Sequence, residues 1–163
     1  MKLLWISAVI AFGIDQMSKY LVIHVLGVSA FKPMDVLPPI LNFRYGENRG
    51  INFGLLGDGT SVWLLIAIAL AICAGVLWWM IKHPQPALAR ASAGLLIGGA
   101  LANVFDRLLY GFVLDFLNMS CCGFVNPFVF NVADIFIFGG AIGLVFFGQE
   151  NTPAKKKTGK KGT

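Results

Sequence analysis

Asp115 and Asp134 are the residues of this sequence that could do acid–base chemistry as a pair. Both lie among apolar residues, and neither has a basic residue within helical reach on its own segment. Two carboxyls in contact do not both ionise easily, so the pKa of one rises and the pKa of the other falls. Such a pair provides a base that activates water and an acid that protonates a leaving amine.

A second interpretation of these two aspartates involves no catalysis. Each could be a separate polar residue that caps the end of a helix. The chemistry of the residues supports the two interpretations equally, so other features of the chain must decide between them.

Other charged residues also lie in apolar stretches. A carboxylate at the centre of a membrane span raises the free energy of insertion by roughly 2.5–3.5 kcal/mol. Asp15 and Lys19 are four residues apart on one predicted helix and can form an ion pair. Asp106 and Arg107 are neighbours that point in different directions on a helix, so each is expected to bond to another element. We interpret Asp15, Lys19 and Asp106 as structural polar residues.

Other catalytic and ligand-binding motifs do not fit this sequence. It contains no G-x-S-x-G, H-E-x-x-H, C-x-x-C or G-K-[ST] motif, so we expect neither a metal site nor a cofactor. The roles of Cys121 and Cys122 stay open. The net charge of +5 does not indicate nucleic acid, because five lysines lie in the last nine residues. We expect residues 151–163 to be a disordered cytoplasmic tail that favours anionic lipid.

The elements that must position these residues are membrane-spanning helices. Apolar residues make up 57% of the chain and charged residues 13%, whereas a soluble domain has roughly 25% charged residues. Four stretches reach the ~20 residues that a span requires: about residues 3–26, 61–81, 88–110 and 127–147. We predict one membrane domain over residues 1–150. The first stretch is too long for a signal peptide and contains Asp15 and Lys19, so we expect it to be retained.

The distribution of basic residues predicts the orientation of the four spans. The side that holds both termini has eight basic residues against four on the other side, so the termini are expected in the cytoplasm. The region between the first two spans faces outward. There Leu41, Phe43 and Tyr45 alternate with polar residues, residues 46–50 read as a turn, and residues 51–53 follow. The predicted fold is all-α, with four transmembrane helices and a small outward-facing β-hairpin or sheet between spans 1 and 2.

Five blocks of the sequence, in order, give it a resemblance to bacterial lipoprotein signal peptidase (signal peptidase II). They are F-G-I-D (12–15) with Lys19, N-R-G-I-N-F-G (48–54), G-A-L-A-N-V-F-D-R (99–107), G-F-V-L-D-F (111–116) and F-N-V-A-D (130–134). One block is weak evidence, but five in the family's order on four spans are specific. One departure is Asn52, which is bulkier than the small residue usual there and leaves the shape of the outer substrate cradle open.

The resemblance implies a metal-independent, intramembrane aspartic endopeptidase of the bacterial cytoplasmic membrane. Such an enzyme removes signal peptides from diacylglyceryl-modified prolipoproteins by cutting before the lipidated cysteine. The catalytic pair carries over to Asp115 and Asp134, and the positions that shape or support the site carry over to Asn48, Asn103, Arg107 and Asn131. The implied partners are prolipoproteins and membrane lipid, without nucleic acid, and a monomer is expected. The active site would face the periplasm.

Two other classes of function are compatible with aspartates in a membrane. In a small ion- or proton-coupled transporter they would form a relay, but the sequence has no internal repeat and its polar blocks cluster toward one side. In a structural subunit they would bind a partner helix. The resemblance ranks both below the peptidase.

A chelator separates the expected chemistry from metal catalysis. Cleavage of a lipidated prolipoprotein in detergent should proceed at an unchanged rate in excess EDTA, because two carboxyls activate the water without an ion. Loss of activity that returns when a divalent metal is added would contradict the absence of a metal from the site.

Overall fold

The computed structural model describes residues 1–38, 40–50, 62–120 and 126–148. Its helices are α1 (Lys2–Lys19), which continues as a π-helix over Tyr20–Val25, α2 (Val62–Lys82), α3 (Ala87–Tyr110) and α4 (Val132–Phe147). The first helix with its π-helical end, α2 and α3 are each long and apolar enough to cross a membrane. Helix α4 is apolar but has only 16 residues.

The start of α4 differs from the predicted fourth span. The helix begins at Val132 rather than near residue 127, because the preceding residues are extended and Phe130 is hydrogen-bonded to Leu117 of a strand. Asn131 then caps the helix. The sequence did not indicate where this helix begins, because residues 127–131 are mostly apolar and buried strands and helices can have the same composition.

A small antiparallel sheet covers one end of the helices. In the described residues it has three strands in the order β1 (Met34–Leu37), β2 (Leu41–Asn48) and β3 (Val113–Met119). The alternating residues predicted as a strand lie in β2. The predicted turn over residues 46–50 is wrong in its first half, because β2 continues to Asn48 and Gly46 is opposite Asp115 of β3. Residues 51–53, with Asn52, lie outside the described residues, as do Cys121, Cys122 and the basic tail.

Strand β3 was not predicted as a strand, and it depends on a sharp reversal at Gly111. Helix α3 ends there with a left-handed residue at φ 79°, whose N–H donates to the carbonyl of Arg107. Glycine adopts this conformation without a Cβ penalty and commonly follows the last helical residue. The chain then returns as β3 and pairs with β2, so the sheet joins the segments that follow α1 and α3.

Helix α3 is the centre of the packing. It has buried residues along its whole length, whereas α2 buries only Ile66, Cys73 and Met80. Helices α1 and α4 approach α3 closely at small residues. At Gly140 of α4 a Cβ atom would lie 2.6 Å from the backbone nitrogen of Leu96 and 2.6 Å from the carbonyl oxygen of Ser92. Gly98, Gly99 and Gly140 therefore lie at close helix contacts, while Gly139 has open space.

This difference between adjacent glycines gives a matched test of the α3–α4 contact. Gly140→Ala should destabilise the protein by about 1–3 kcal/mol, because the added methyl group meets backbone that cannot move without separating the helices. Gly139→Ala should cause no loss, since nothing lies within 4 Å of its Cβ position. Thermal unfolding of both variants in the same detergent measures the difference. Equal melting temperatures would show that the helices do not pack as closely as described.

Candidate active site

Asn131 is the residue that connects the two predicted catalytic aspartates. Its side-chain Nδ2 donates to Asp115 Oδ1 at 2.6 Å, and its Oδ1 accepts a hydrogen bond of 2.9 Å from the backbone nitrogen of Asp134. Asn131 is completely buried. Because it is the N-cap of α4, its orientation is fixed by the start of that helix. One buried amide therefore holds a strand aspartate and a helix aspartate at the same site.

Asp134 lies in the first turn of α4. Its Oδ1 accepts 2.9 Å from Asn103 Nδ2 on α3, and its Oδ2 accepts 3.2 Å from the backbone nitrogen of Asn131, which completes a capping box. A fourth span that began at residue 127 would place Asp134 two turns into the helix, about 11 Å from its start by the helical rise. The helix instead begins only two residues before Asp134. Asp134 therefore caps α4 and also lies beside Asp115, so the two interpretations left open by the sequence are compatible.

Asp115 lies in the middle of the short strand β3 and is 3% exposed. Burial, together with the nearby charge of Asp134, raises the pKa of its carboxyl from 3.8 to about 7. Hydrogen bonds from Asn131 and from Asn48, at the end of β2, oppose this rise because they stabilise the ionised form. Asp115 therefore holds a proton at a pH where a solvated aspartate has lost it.

A cavity of about 540 Å³ opens in front of Asp115. It is lined by residues of β2, by Arg107 of α3, by Leu65 of α2 and by residues 127–129. Gly46 forms part of this wall opposite Asp115, where a Cβ atom would contact Val129 at 3.4 Å. Asp115 and Arg107 supply polar groups on its walls.

Arg49 and Glu47 lie on the exposed side of this cavity. Arg49 Nη2 is 2.6 Å from Glu47 Oε2, and its guanidinium lies 5.2 Å from the centre of the Phe112 ring. Phe112 follows Gly111 at the start of the returning segment, so these contacts hold the end of β2 against the beginning of β3. The ion pair is largely exposed, and such a pair contributes little to stability.

Two apolar grooves border the site on the helix surfaces. One, of about 490 Å³, is formed by Phe130, Ile135, Phe138 and Gly139, with Asp134 at its edge. The other, of about 230 Å³, lies between α2 and α3 and reaches Asn103 and Arg107. Both lead from apolar helix faces to polar residues of the site.

A buried ion-pair cluster lies behind the aspartates. Lys19 Nζ is 2.7 Å from Asp15 Oδ2 and 2.7 Å from Asp106 Oδ2, and it donates 3.4 Å to Asn103 Oδ1. The i,i+4 pair of Asp15 and Lys19 is thus present, and Lys19 has a second carboxylate partner that the sequence did not indicate. Asp106 bonds to another element, as expected, through the backbone nitrogen of Leu114 in β3.

The structure places all nine predicted polar positions in two adjoining groups. The front group contains Asp115 and Asp134 with the predicted support residues Asn48, Asn103, Arg107 and Asn131. The rear group contains Asp15, Lys19 and Asp106. The two groups meet where Asn103 accepts a hydrogen bond from Lys19. Sequence reasoning missed Gln16, whose Nε2 donates 2.8 Å to Asp106 Oδ1. A polar residue beside Asp15 in an apolar span was the available signal. It also missed Gly46, which no sequence pattern distinguishes from a turn glycine.

Comparison with known proteins gives one consistent result. The family model for signal peptidase (SPase) II matches residues 7–148. A lipoprotein signal peptidase of Alteromonas mediterranea is 39% identical over 148 residues, which cover 89% of this chain and 79% of the relative. A lipoprotein signal peptidase of Caulobacter vibrioides is 37% identical and covers 90% of both chains.

Two solved structures of a bacterial membrane enzyme have the same fold. One superposes with a TM-score of 0.76 at 28% identity and covers 90% of this chain and 92% of the other. The second has a TM-score of 0.74 at 28% identity and covers 93% of this chain and 90% of the other. The five sequence blocks, the match to the family model and the shared fold agree, and the chain belongs to the signal peptidase II family.

Proposed function

We propose that this membrane protease cleaves signal peptides from prolipoproteins as an aspartic endopeptidase, with Asp115 and Asp134 as its catalytic pair. Membership of the signal peptidase II family supports the peptidase and its prolipoprotein substrates. The observation that carries the aspartic mechanism is the link through Asn131, whose side chain bonds to the carboxyl of Asp115 and to the backbone nitrogen of Asp134. Asp115 lines the main cavity, and Asp134 lies at the edge of the adjoining apolar groove. The family match gives no support to a transporter.

The two aspartates have different surroundings, which suggests different roles. Both oxygens of Asp134 accept N–H hydrogen bonds, and the carboxylate lies in the first turn of a helix, where negative charge is favoured. These contacts favour Asp134 as the ionised base. Asp115 is buried and has a pKa of about 7, so it is suited to hold the proton and act as the acid.

The reaction then follows with one water molecule consumed. The Asp134 carboxylate accepts a proton from water as the water oxygen attacks the scissile carbonyl carbon, and Asp115 donates its proton to the carbonyl oxygen. The tetrahedral intermediate collapses when the proton on Asp134 passes to the departing nitrogen and the Asp115 carboxylate recovers a proton from a hydroxyl of the intermediate. The products are the carboxylate end of the signal peptide and the free amino group of the lipidated cysteine.

Four neighbouring side chains would support these steps. Asn131 and Asn48 hydrogen-bond to Asp115 and fix its orientation, while Asn103 fixes Asp134. Arg107 lies on the wall of the cavity, where its positive charge would stabilise negative charge that develops on the substrate. The cavity walls of β2 and residues 127–129 would hold the extended peptide.

The apolar grooves suggest how the lipid part of the substrate is accommodated. A diacylglyceryl group carries two acyl chains that favour the bilayer, and the grooves run along helix faces up to Asn103, Arg107 and Asp134. The substrate would thus enter sideways from the membrane, with its acyl chains against the helices and its peptide in the cavity. Helix α4 would serve as a short fourth span, with a length of about 24 Å by the helical rise.

The orientation follows from the same arrangement. The sheet and the active site lie at the end of the helices away from Lys2, Lys82 and Arg90. The end with the site has four basic residues, so the excess on the opposite side comes from the five lysines of the tail. With the tail counted, the rule that basic residues remain in the cytoplasm puts the site on the periplasmic side of the inner membrane. Both termini would be cytoplasmic.

Replacement of either carboxyl by an amide tests the catalytic pair. Asp115→Asn and Asp134→Asn should each lower cleavage of a lipidated prolipoprotein by at least about 10³-fold, because the amide can neither accept nor donate the transferred proton. The change keeps the shape and several hydrogen bonds, so thermal unfolding should show folded protein. Asn42→Ala, on strand β2 and away from Asp115, is the control. Normal processing by either folded amide variant would refute the assignment.

The pH dependence of catalysis tests Asp115 as the acid. If the protonated form is active, kcat should decrease as the pH rises through about 7, the pKa of Asp115. Asn48→Ala removes a hydrogen bond that stabilises the ionised carboxyl, so its pKa should rise and the alkaline limb should move to higher pH. Asn42→Ala should leave the limb in place. A limb that moves to lower pH in Asn48→Ala would reverse the assigned role.

A further inference from the structure

The carboxylates of Asp15 and Asp106 take no part in the proposed reaction, yet both are completely buried. They come from different helices and meet at one ammonium group, with Lys19 Nζ 2.7 Å from an oxygen of each. Gln16 also joins them, since its Nε2 donates 2.8 Å to Asp106 Oδ1 and 3.2 Å to Asp15 Oδ2. The three charged groups thus form a rigid unit behind the active site.

Each of these carboxylates holds one backbone N–H of another element. Asp106 Oδ2 accepts 3.1 Å from the nitrogen of Leu114 in β3, and Asp15 Oδ1 accepts 2.8 Å from the nitrogen of Ala133 in α4. Leu114 immediately precedes Asp115, and Ala133 immediately precedes Asp134. Both contacts are buried, so water does not compete for the two N–H groups.

The two anchored N–H groups determine where the catalytic carboxyls can lie. Consecutive Cα atoms are 3.8 Å apart across a trans peptide, so fixing one residue leaves its neighbour little freedom. Asp115 and Asp134 belong to elements on opposite sides of the site, one in the sheet and one in a helix. From the front they are joined by Asn131, and from behind their backbones are joined through Asp106, Lys19 and Asp15.

We infer that Asp15, Lys19 and Asp106 are positioning residues that set the distance between the two catalytic aspartates. Lys19 holds the two carboxylates together, and each carboxylate holds the peptide group before one catalytic residue. This inference rests on the proposed function, because it assigns the cluster a purpose only if Asp115 and Asp134 act as a pair.

Stability alone does not require this arrangement. Asp15 could pair with Lys19 on its own helix without reaching α4, and an ion pair buried in an apolar region is often replaceable by apolar residues at no loss of stability. The N–H of Ala133 is among the first amides of α4 that no helical carbonyl can accept. A hydrogen bond from a different helix to this amide fixes the position of α4 relative to α1, which is what a catalytic distance requires.

Kinetics distinguish a positioning role from a purely structural one. Asp106→Ala removes the acceptor for Leu114, so β3 and Asp115 can shift, and kcat should fall on the order of 100-fold. Most of the cavity wall comes from β2, Leu65 of α2 and residues 127–129 rather than from β3, so KM should change less than kcat. Asp106→Asn keeps an oxygen that accepts the N–H of Leu114 and should recover much of kcat. Asp15→Ala and Asp15→Asn should show the same contrast through Ala133.

The width of the pH profile gives a second readout. Coupling between two carboxyls separates the acid and alkaline limbs of the profile, so a longer distance should bring the limbs closer together. Charged groups that face the pair come from every adjoining element: Lys19 on α1, Arg107 and Asp106 on α3, and Glu47 on β2. In Asp106→Ala the only charge removed is that of Asp106. Loss of this charge alone would move both limbs of the pH profile in the same direction, whereas a longer distance between the two aspartates would move the limbs toward each other.

Ser7→Ala is the matched control for lost stability. Ser7 is a buried polar residue of α1 that donates 3.0 Å to the carbonyl of Ala91 on α3, at the other end of the same helix pair. It should lower the melting temperature and leave kcat and the pH profile of the folded enzyme unchanged. If the alanine variants do not fold, Asp106→Leu and Asp15→Leu take their place, because leucine also lacks the acceptor but fills the space of the aspartate, and apolar replacement of a buried ion pair is often tolerated.

The outcomes separate this inference from the proposed function. Reduced kcat with a narrower profile, and recovery by asparagine, support positioning. An unchanged kcat per folded molecule in Asp106→Ala and Asp15→Ala, or in the leucine variants where the alanine variants do not fold, overturns it while Asp115→Asn remains inactive. If Asp115→Asn itself cleaves normally, the catalytic pair is wrong and the positioning role falls with it.

Discussion

Burial of charge in apolar surroundings is the constraint on which the rest of this structure depends. Four carboxyls, those of Asp15, Asp106, Asp115 and Asp134, lie close to Lys19 and Arg107 near the end of α3. An ion in such a place is tolerated only when other groups satisfy it. The donors are amide side chains and backbone N–H groups from different elements. The hydrogen bonds to these carboxyls therefore fix the positions of α1, α3, α4 and the sheet relative to one another.

The same interactions that satisfy the charges also build the site. Asn131 is at once the N-cap of α4 and the amide between the two aspartates, and Asp134 is both a capping residue and a proposed base. Capping and catalysis are therefore not competing explanations. A helix N-terminus needs acceptors and favours negative charge, and a catalytic carboxylate needs fixed donors, so one geometry meets both requirements.

The environment of Asp115 shows how an apolar setting supports acid–base chemistry. Burial raises the pKa of this carboxyl, which places its proton in the range where enzymes operate. The apolar grooves on either side belong to the same helices that carry the support residues. A site where apolar helix faces meet a small sheet is thus compatible with the proposed substrate, which is part lipid and part peptide.

Sequence by itself determined the residues and the helices of this protein. Apolar composition and length located the helices, and the cost of charge in a membrane selected Asp15, Asp106, Asp115 and Asp134. The i,i+4 spacing indicated the pair of Asp15 and Lys19, because both residues belong to one helix and the spacing is local. The ordered blocks identified the family and predicted, from it, the support residues Asn48, Asn103, Arg107 and Asn131.

Only the tertiary structure decided how these residues meet. Strand β3, the late start of α4 and the second partner of Lys19 all depend on contacts between segments far apart in the chain, such as Gly46 with Asp115 and Asp15 with Ala133. A short apolar run has the same composition in a strand and in a helix, so residues 112–119 and 127–131 could not be assigned from the sequence. The geometry of the site is a property of long-range hydrogen bonds, and these have no local signature.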